Sequence, residues 1–260
     1  MDTNRILRPL VALLIAAGAF FGLGPILVPT ALATTFGFVG SDVFVYRLAG
    51  AATLAYSVGF LVGWRASWPE LRIPIAATLV FNVASIAACV VAIAGGAQPI
   101  VFVILGASVV FSLATAALLR QPPLAAAGND RPELDRPIAG WLTALFAIGT
   151  AAAMVFGLGP LLLGGDFGVI LGYSGSDAFV YRQAGAATLG AALGGAMVLL
   201  SRRWVAARLP ALMALVFNGV SVGAAVVEIG ATGKPIAYLI LAAAGLTTIG
   251  MAAALVRGGR

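Results

Sequence analysis

The chain has 260 residues, 62% hydrophobic and 9% charged, with a formal net charge of +6 and a mean hydropathy of +1.08. Soluble domains carry roughly a quarter charged residues, so this composition belongs to an integral membrane protein. Its fourteen Arg and one Lys are scattered over short loops with no basic run or stacking platform, which argues against a nucleic-acid partner. His is absent, which removes imidazole haem ligation, the commonest zinc ligand and the usual general base, so no cofactor, no metal site and no catalytic residue are expected.

The apolar runs reach the ~20 residues that a membrane-spanning helix needs, and alternating segments of ~10 residues, the mark of a barrel, are missing. A lipid-exposed backbone must satisfy its own hydrogen bonds, so the spans are predicted to be helices. The first is expected over residues 10–27, after a start carrying Arg5, Arg8 and Pro9. Ala31-Leu32-Ala33 resembles a signal-peptide cleavage site. However, Phe21-Gly22-Leu23-Gly24-Pro25 recurs as Phe156-Gly157-Leu158-Gly159-Pro160, and a mid-chain duplicate is no secretion signal, so the helix reads as retained. Gly24 and Pro25 are expected to stop it. The uncharged segment 26–40 then suits the membrane interface, and its counterpart 161–175 carries Asp166, which reads as a solvated residue.

Further helices are predicted over 42–64, 73–94 and 99–119, with Arg65, Glu70 and Arg72 in a charged turn between the second and third. Residues 121–137, with four Pro and five charges, read as a polar linker. The pattern then repeats near 138–160, 177–200, 208–230 and 235–256. The predicted architecture is therefore all-α and polytopic, with a first four-helix repeat over 1–120, a cytoplasmic linker over 121–137 and a second repeat over 138–260. An even number of helices per repeat makes the halves parallel, related by a pseudo-twofold axis along the membrane normal, as in a fused homodimer.

The repetition is closest at Ser41-Asp42-Val43-Phe44-Val45-Tyr46-Arg47-Leu48-Ala49-Gly50, which returns as Ser176-Asp177-Ala178-Phe179-Val180-Tyr181-Arg182-Gln183-Ala184-Gly185. Twelve basic residues (Arg5, Arg8, Arg65, Arg72, Arg120, Arg131, Arg136, Arg202, Arg203, Arg208, Arg257 and Arg260) fall on one side of the predicted membrane. Arg47, Arg182 and Lys234 fall on the other. The positive-inside bias puts both termini in the cytoplasm, with Trp64, Trp68, Trp141 and Trp204 as interfacial anchors on that face. Arg in place of Lys and abundant Ala and Gly suggest a GC-rich bacterial genome, hence an inner, plasma membrane.

Asp42, Tyr46 and Arg47, with Asp177, Tyr181 and Arg182, form the charged constellation present in both halves. Three readings stay open. The first is structural, with each Asp capping its own helix or pairing with the Arg of the other half, Asp42 with Arg182 and Asp177 with Arg47. The second is an external site for an anion, a lipid head group or a partner carboxylate, because an Arg below the surface needs a partner or must snorkel. The third is a gate. Asn82 with Ser85, and Asn218 with Ser221, are polar at mid-depth and are expected to bond neighbouring helices. Gly59/Gly63 and Gly190/Gly194 have the spacing that permits close helix approach. Glu228 is expected to pair with Lys234, and Cys89 to be a buried packing residue.

No nucleophile with a base, metal set or phosphate loop stands out, so the chain reads as non-catalytic. Coupled transport uses carboxylates at mid-membrane, where none repeats. Two readings follow: a structural or accessory subunit packed against lipid and other membrane-protein subunits, or an uncoupled channel or carrier with an external Arg-lined site.

Overall fold

The computed structural model describes residues 3–120 and 134–260, with side chains from Arg8 onward in the first helix. Its elements are α1 (Thr3–Leu27), α2 (Pro29–Thr35), α3 (Val43–Val62, prolonged by a 3-10 turn over Gly63–Arg65), α4 (Trp68–Ala94) and α5 (Pro99–Arg120). They continue with α6 (Gly140–Leu163), α7 (Gly165–Ile170), α8 (Ala178–Ser201), α9 (Trp204–Thr232) and α10 (Pro235–Arg257). Among the described residues, eight helices are long and apolar enough to cross a membrane. The short α2 and α7 occupy the two stretches read as interfacial connections, and Asp166 is exposed in the first turn of α7. Of the predicted linker 121–137, only 134–137 fall within the described residues.

Local chemistry explains most helix ends. Pro99 and Pro235 open α5 and α10, where a missing N–H costs nothing. Gly233 and Gly258 close α9 and α10 in the left-handed conformation. α4 starts five residues before the predicted Ile73 because Ser67 and Glu70 form a capping box, with Ser67 N–H donating to Glu70 Oε2 at 3.0 Å. Glu70 and Arg72 therefore lie inside a helix instead of a charged turn.

Neither Pro25 nor Pro160 stops its helix: α1 runs on to Leu27 and α6 to Leu163. Packing holds these turns against the loss of one hydrogen bond. A Cβ on Gly50 would come within 2.6 Å of the Gly22 carbonyl oxygen, and one on Gly185 within 2.6 Å of that of Gly157. The α3 and α8 backbones are thus seated directly on α1 and α6 beside each proline.

Helices α3, α4, α8 and α9 form the centre, and α1, α5, α6 and α10 lie outside them. α3 packs chiefly on α1 and α9, and α8 on α6 and α4, while α3 and α4, adjacent in sequence, touch little. The two halves of the chain are therefore interleaved. Their paired glycines serve these crossings: a Cβ on Gly59 would lie 2.6 Å from Met213 Cγ of α9, and one on Gly190 2.5 Å from the Ala77 carbonyl oxygen of α4. Over half of the α3 span is buried within the chain, against 17% of the α6 and α10 spans. Trp204 departs from its expected interfacial role, being 2% exposed and among the largest buried side chains. It packs in a cluster with Ile138, Leu142, Phe146 and Met251, under Gly259. Trp64 and Trp141 remain exposed.

Candidate functional site: a carboxylate clasp and an apolar slot

The repeated segment brings α3 and α8 together at their N-termini. Asp42 accepts four hydrogen bonds from the second half: Ser174 N at 2.9 Å, Ser174 Oγ at 3.0 Å, Gly175 N at 2.8 Å and Tyr181 Oη at 2.7 Å. Asp177 accepts three from the first half: Val39 N at 2.9 Å, Gly40 N at 2.7 Å and Tyr46 Oη at 2.8 Å. The extra bond on Asp42 exists because Ser174 stands where the other half has Val39.

Gly40 and Gly175 have φ of +69° and +68°. That left-handed turn suits glycine and aims two successive N–H groups at one carboxylate, as in a backbone anion nest. Ser41, Ser174 and Ser176 complete the junction, their hydroxyls 2.7–2.9 Å apart. Each Asp occupies the N-cap position of its helix but makes no cap hydrogen bond, because both oxygens are engaged across the junction. Burial alone would push the Asp42 carboxyl up; its hydrogen bonds from Ser174, Tyr181 and Gly175 outweigh that and hold it below the usual carboxylate range.

Asp–Arg pairing is not found. Among the described residues the ion pairs are Arg203–Asp135 and Arg208–Glu70, and Arg47 and Arg182 take no part in the Asp bonds. Opposite charge suggested the wrong donor, since backbone amides and phenols already engage both oxygens of each carboxylate. The Arg182 guanidinium instead lies on Gly164 at the end of α6, where a Cβ would come within 2.6 Å of its Cζ. A cation at a helix C-terminus meets the negative end of the helix dipole.

Glu228 also differs from expectation. It accepts from Tyr173 Oη at 3.1 Å and Thr232 Oγ1 at 2.8 Å, while Lys234 Nζ sits 3.6 Å over the Tyr173 ring. Burial first, then the Glu228 charge, drives the Tyr173 phenol well above its ordinary value.

At the opposite end of the bundle a second tie joins the halves. Glu70 is fully buried and accepts from Arg208 Nη1 at 2.6 Å, besides Ser67 N and Oγ. Its legible signal was Ser67-Trp68-Pro69-Glu70, an S-x-x-E capping pattern before an apolar run.

Between α1, α3, α4, α5 and α8 lies a slot of ≈ 170 Å³. Its walls are helical stripes: Leu14, Gly18, Phe21 and Pro25 on α1; Tyr46, Ala49, Thr53, Tyr56 and Phe60 on α3; Ile100, Ile104, Ser108 and Phe111 on α5. The α3 stripe runs from Tyr46 to Phe60, fourteen steps or ~21 Å at 1.5 Å per residue. Asn82 and Ser85 line it from α4, and Gln183 from α8.

The mid-depth polar residues behave unequally. Ser85 does bond a neighbouring helix, donating to Gln183 Oε1 at 2.9 Å and accepting from Ser108 of α5 at 2.9 Å. Asn82, Asn218 and Ser221 bond their own helices, at the carbonyls of Thr78, Ala214 and Phe217. Cys89 is buried, with Gln183 Nε2 at 3.6 Å from its Sγ. Gln183 was visible as one of the few departures between the repeated segments, a polar side chain where the first copy has Leu48.

Comparison with protein-family models, with curated proteins and with solved structures finds no match to this chain.

Proposed function

We propose that this chain is a non-catalytic structural or accessory subunit of a membrane complex, embedded in a bacterial plasma membrane with both termini in the cytoplasm. In this reading two tandem four-helix units, 1–120 and 138–260, arose by duplication and stand parallel about a pseudo-twofold axis along the membrane normal. Mirrored bonding supports the axis: Asp42 to Tyr181 and Asp177 to Tyr46. Mirrored packing supports it too, α1 on α3 like α6 on α8, and α3 on α9 like α8 on α4. The bias of twelve basic residues against three supports the orientation.

The observation that carries the accessory role is a set of helix-interior glycines with no internal purpose. Among the described residues a Cβ on Gly106 of α5, Gly149 of α6, Gly223 and Gly230 of α9 or Gly245 of α10 would meet nothing within 4 Å. Interior glycine costs a helix about 1 kcal/mol relative to alanine, and small residues let helices of separate chains approach closely in lipid. Gly223 and Gly230, seven residues apart, share one face of α9.

Mild-detergent purification with native mass spectrometry tests the role. A stoichiometric membrane partner is expected, released by Gly223→Leu with Gly230→Leu while the isolated chain keeps its melting temperature. A lone chain that conducts a small solute in proteoliposomes would replace this reading with the second, an uncoupled channel or carrier. The slot, together with Arg47 and Arg182 left out of the carboxylate bonds, favours that second reading.

A further inference from the structure

We propose that the slot is a binding site for a small, uncharged lipophilic molecule bearing one hydroxyl group, entered from the bilayer between α1 and α5. Those two helices form its outer wall and touch at only a few points.

Size sets the first limit. The ≈ 170 Å³ volume is slightly above that of an engineered apolar cavity of about 150 Å³ that takes benzene. An occupant is therefore of the order of one ring or a short chain, not a two-chain lipid. Charge sets the second. Among the described residues no Asp, Glu, Lys or Arg lines the slot, so an ion inside would be desolvated without a counter-charge.

Asn82 sets the third. It is 6% exposed, its Nδ2 donates to the Thr78 carbonyl at 2.8 Å, and its Oδ1 accepts no hydrogen bond among the described residues. The amide thus keeps one acceptor and one N–H for whatever fills the slot. A hydroxyl answers both; a hydrocarbon answers neither.

The other half of the chain supplies the contrast. In the register that aligns Asp42 with Asp177 and Asn82 with Asn218, the slot residues Tyr56, Thr78, Ser108 and Gln183 correspond to Ala191, Ala214, Ala244 and Leu48. Asn82 and Ser85 recur as Asn218 and Ser221, but these four further polar groups stand only on the slot's side, the pattern of a site elaborated in one half.

Photolabelling tests this in phosphatidylcholine proteoliposomes, with a diazirine-bearing octanol as probe and mass spectrometry to map the labelled peptides. Saturable labelling of α1, α4 and α5 is expected, competed by 1-octanol at least tenfold better than by octane or octanoate. Asn82→Leu should weaken labelling about tenfold, Ala17→Phe, which fills the slot, should abolish it, and Asn218→Leu should leave it unchanged. Melting curves check that each variant is folded, and the competition series needs no variant. Octane competing as well as octanol, or labelling spread evenly over the lipid-facing helices α6 and α10, would overturn the proposal. So would a slot labelled only in competition with phospholipid acyl chains.

Discussion

The clasp and the slot use the same helices to opposite ends. At the clasp, the same Asp and Tyr recur in both halves, every carboxylate oxygen is occupied, and each backbone and phenol bond has its reciprocal, Ser174 Oγ adding one more on Asp42. In the slot, Tyr56, Thr78, Ser108 and Gln183 have apolar counterparts in the other half, and Asn82 keeps an acceptor unused among the described residues. Repeated residues that satisfy one another hold a structure together; a buried amide with an open acceptor leaves room for something else.

The deepest break should come from Asp177→Ala, which strands two backbone N–H groups and the Tyr46 hydroxyl in a buried junction. Unsatisfied donors cost about 1–3 kcal/mol each, so a loss of about 3–5 kcal/mol is expected in detergent unfolding, and a similar loss for Asp42→Ala. Next comes Arg208→Ala, which leaves the buried Glu70 without its cation. Uncompensated buried charge costs about 3–5 kcal/mol, reduced here to about 2–3 kcal/mol because Ser67 still donates twice and Arg208 is partly exposed. A smaller effect, about 1–2 kcal/mol, is expected for Tyr46→Phe or Tyr181→Phe, since each carboxylate keeps its backbone donors.

Acid should separate the carboxylate from its surroundings. The folded Asp42 titrates below its unfolded value, about 3.9, so its contribution is fully present above that value. It fades only as pH falls through the lower, folded one. Unfolding followed between pH 5 and 2 should show this slope in the unaltered chain and lose part of it in Asp42→Asn.

Much of the fold was legible because the bilayer leaves few choices: eight apolar runs became eight helices within a few residues. What escaped depended on neighbours. Pro25 reads as a stop in one dimension, but with Gly50 of α3 packed against its turn the helix continues. Trp204 looks interfacial until Gly259 and the α6 residues cover it.

The clasp was half legible. Repetition pointed to Asp42, Tyr46, Asp177 and Tyr181, but the nearest opposite charge concealed the true donors. Those are backbone amides exposed by the positive φ of Gly40 and Gly175, which no side-chain pattern announces. Gln183 was visible as a mismatch against Leu48, and Glu70 as the end of a capping box, yet their partners Ser85 and Arg208 lie about a hundred residues or more away in sequence.

A pair of double-mutant cycles tests the clasp most directly. Asp42→Asn with Tyr181→Phe, and Asp42→Asn with Arg182→Gln, are compared by unfolding in one detergent. Asp42 and Tyr181 should couple by about 1–2 kcal/mol, while Asp42 and Arg182 should add within about 0.5 kcal/mol. Strong coupling to Arg182 with none to Tyr181 would contradict a clasp of phenols and backbone amides and restore the ion pair in its place.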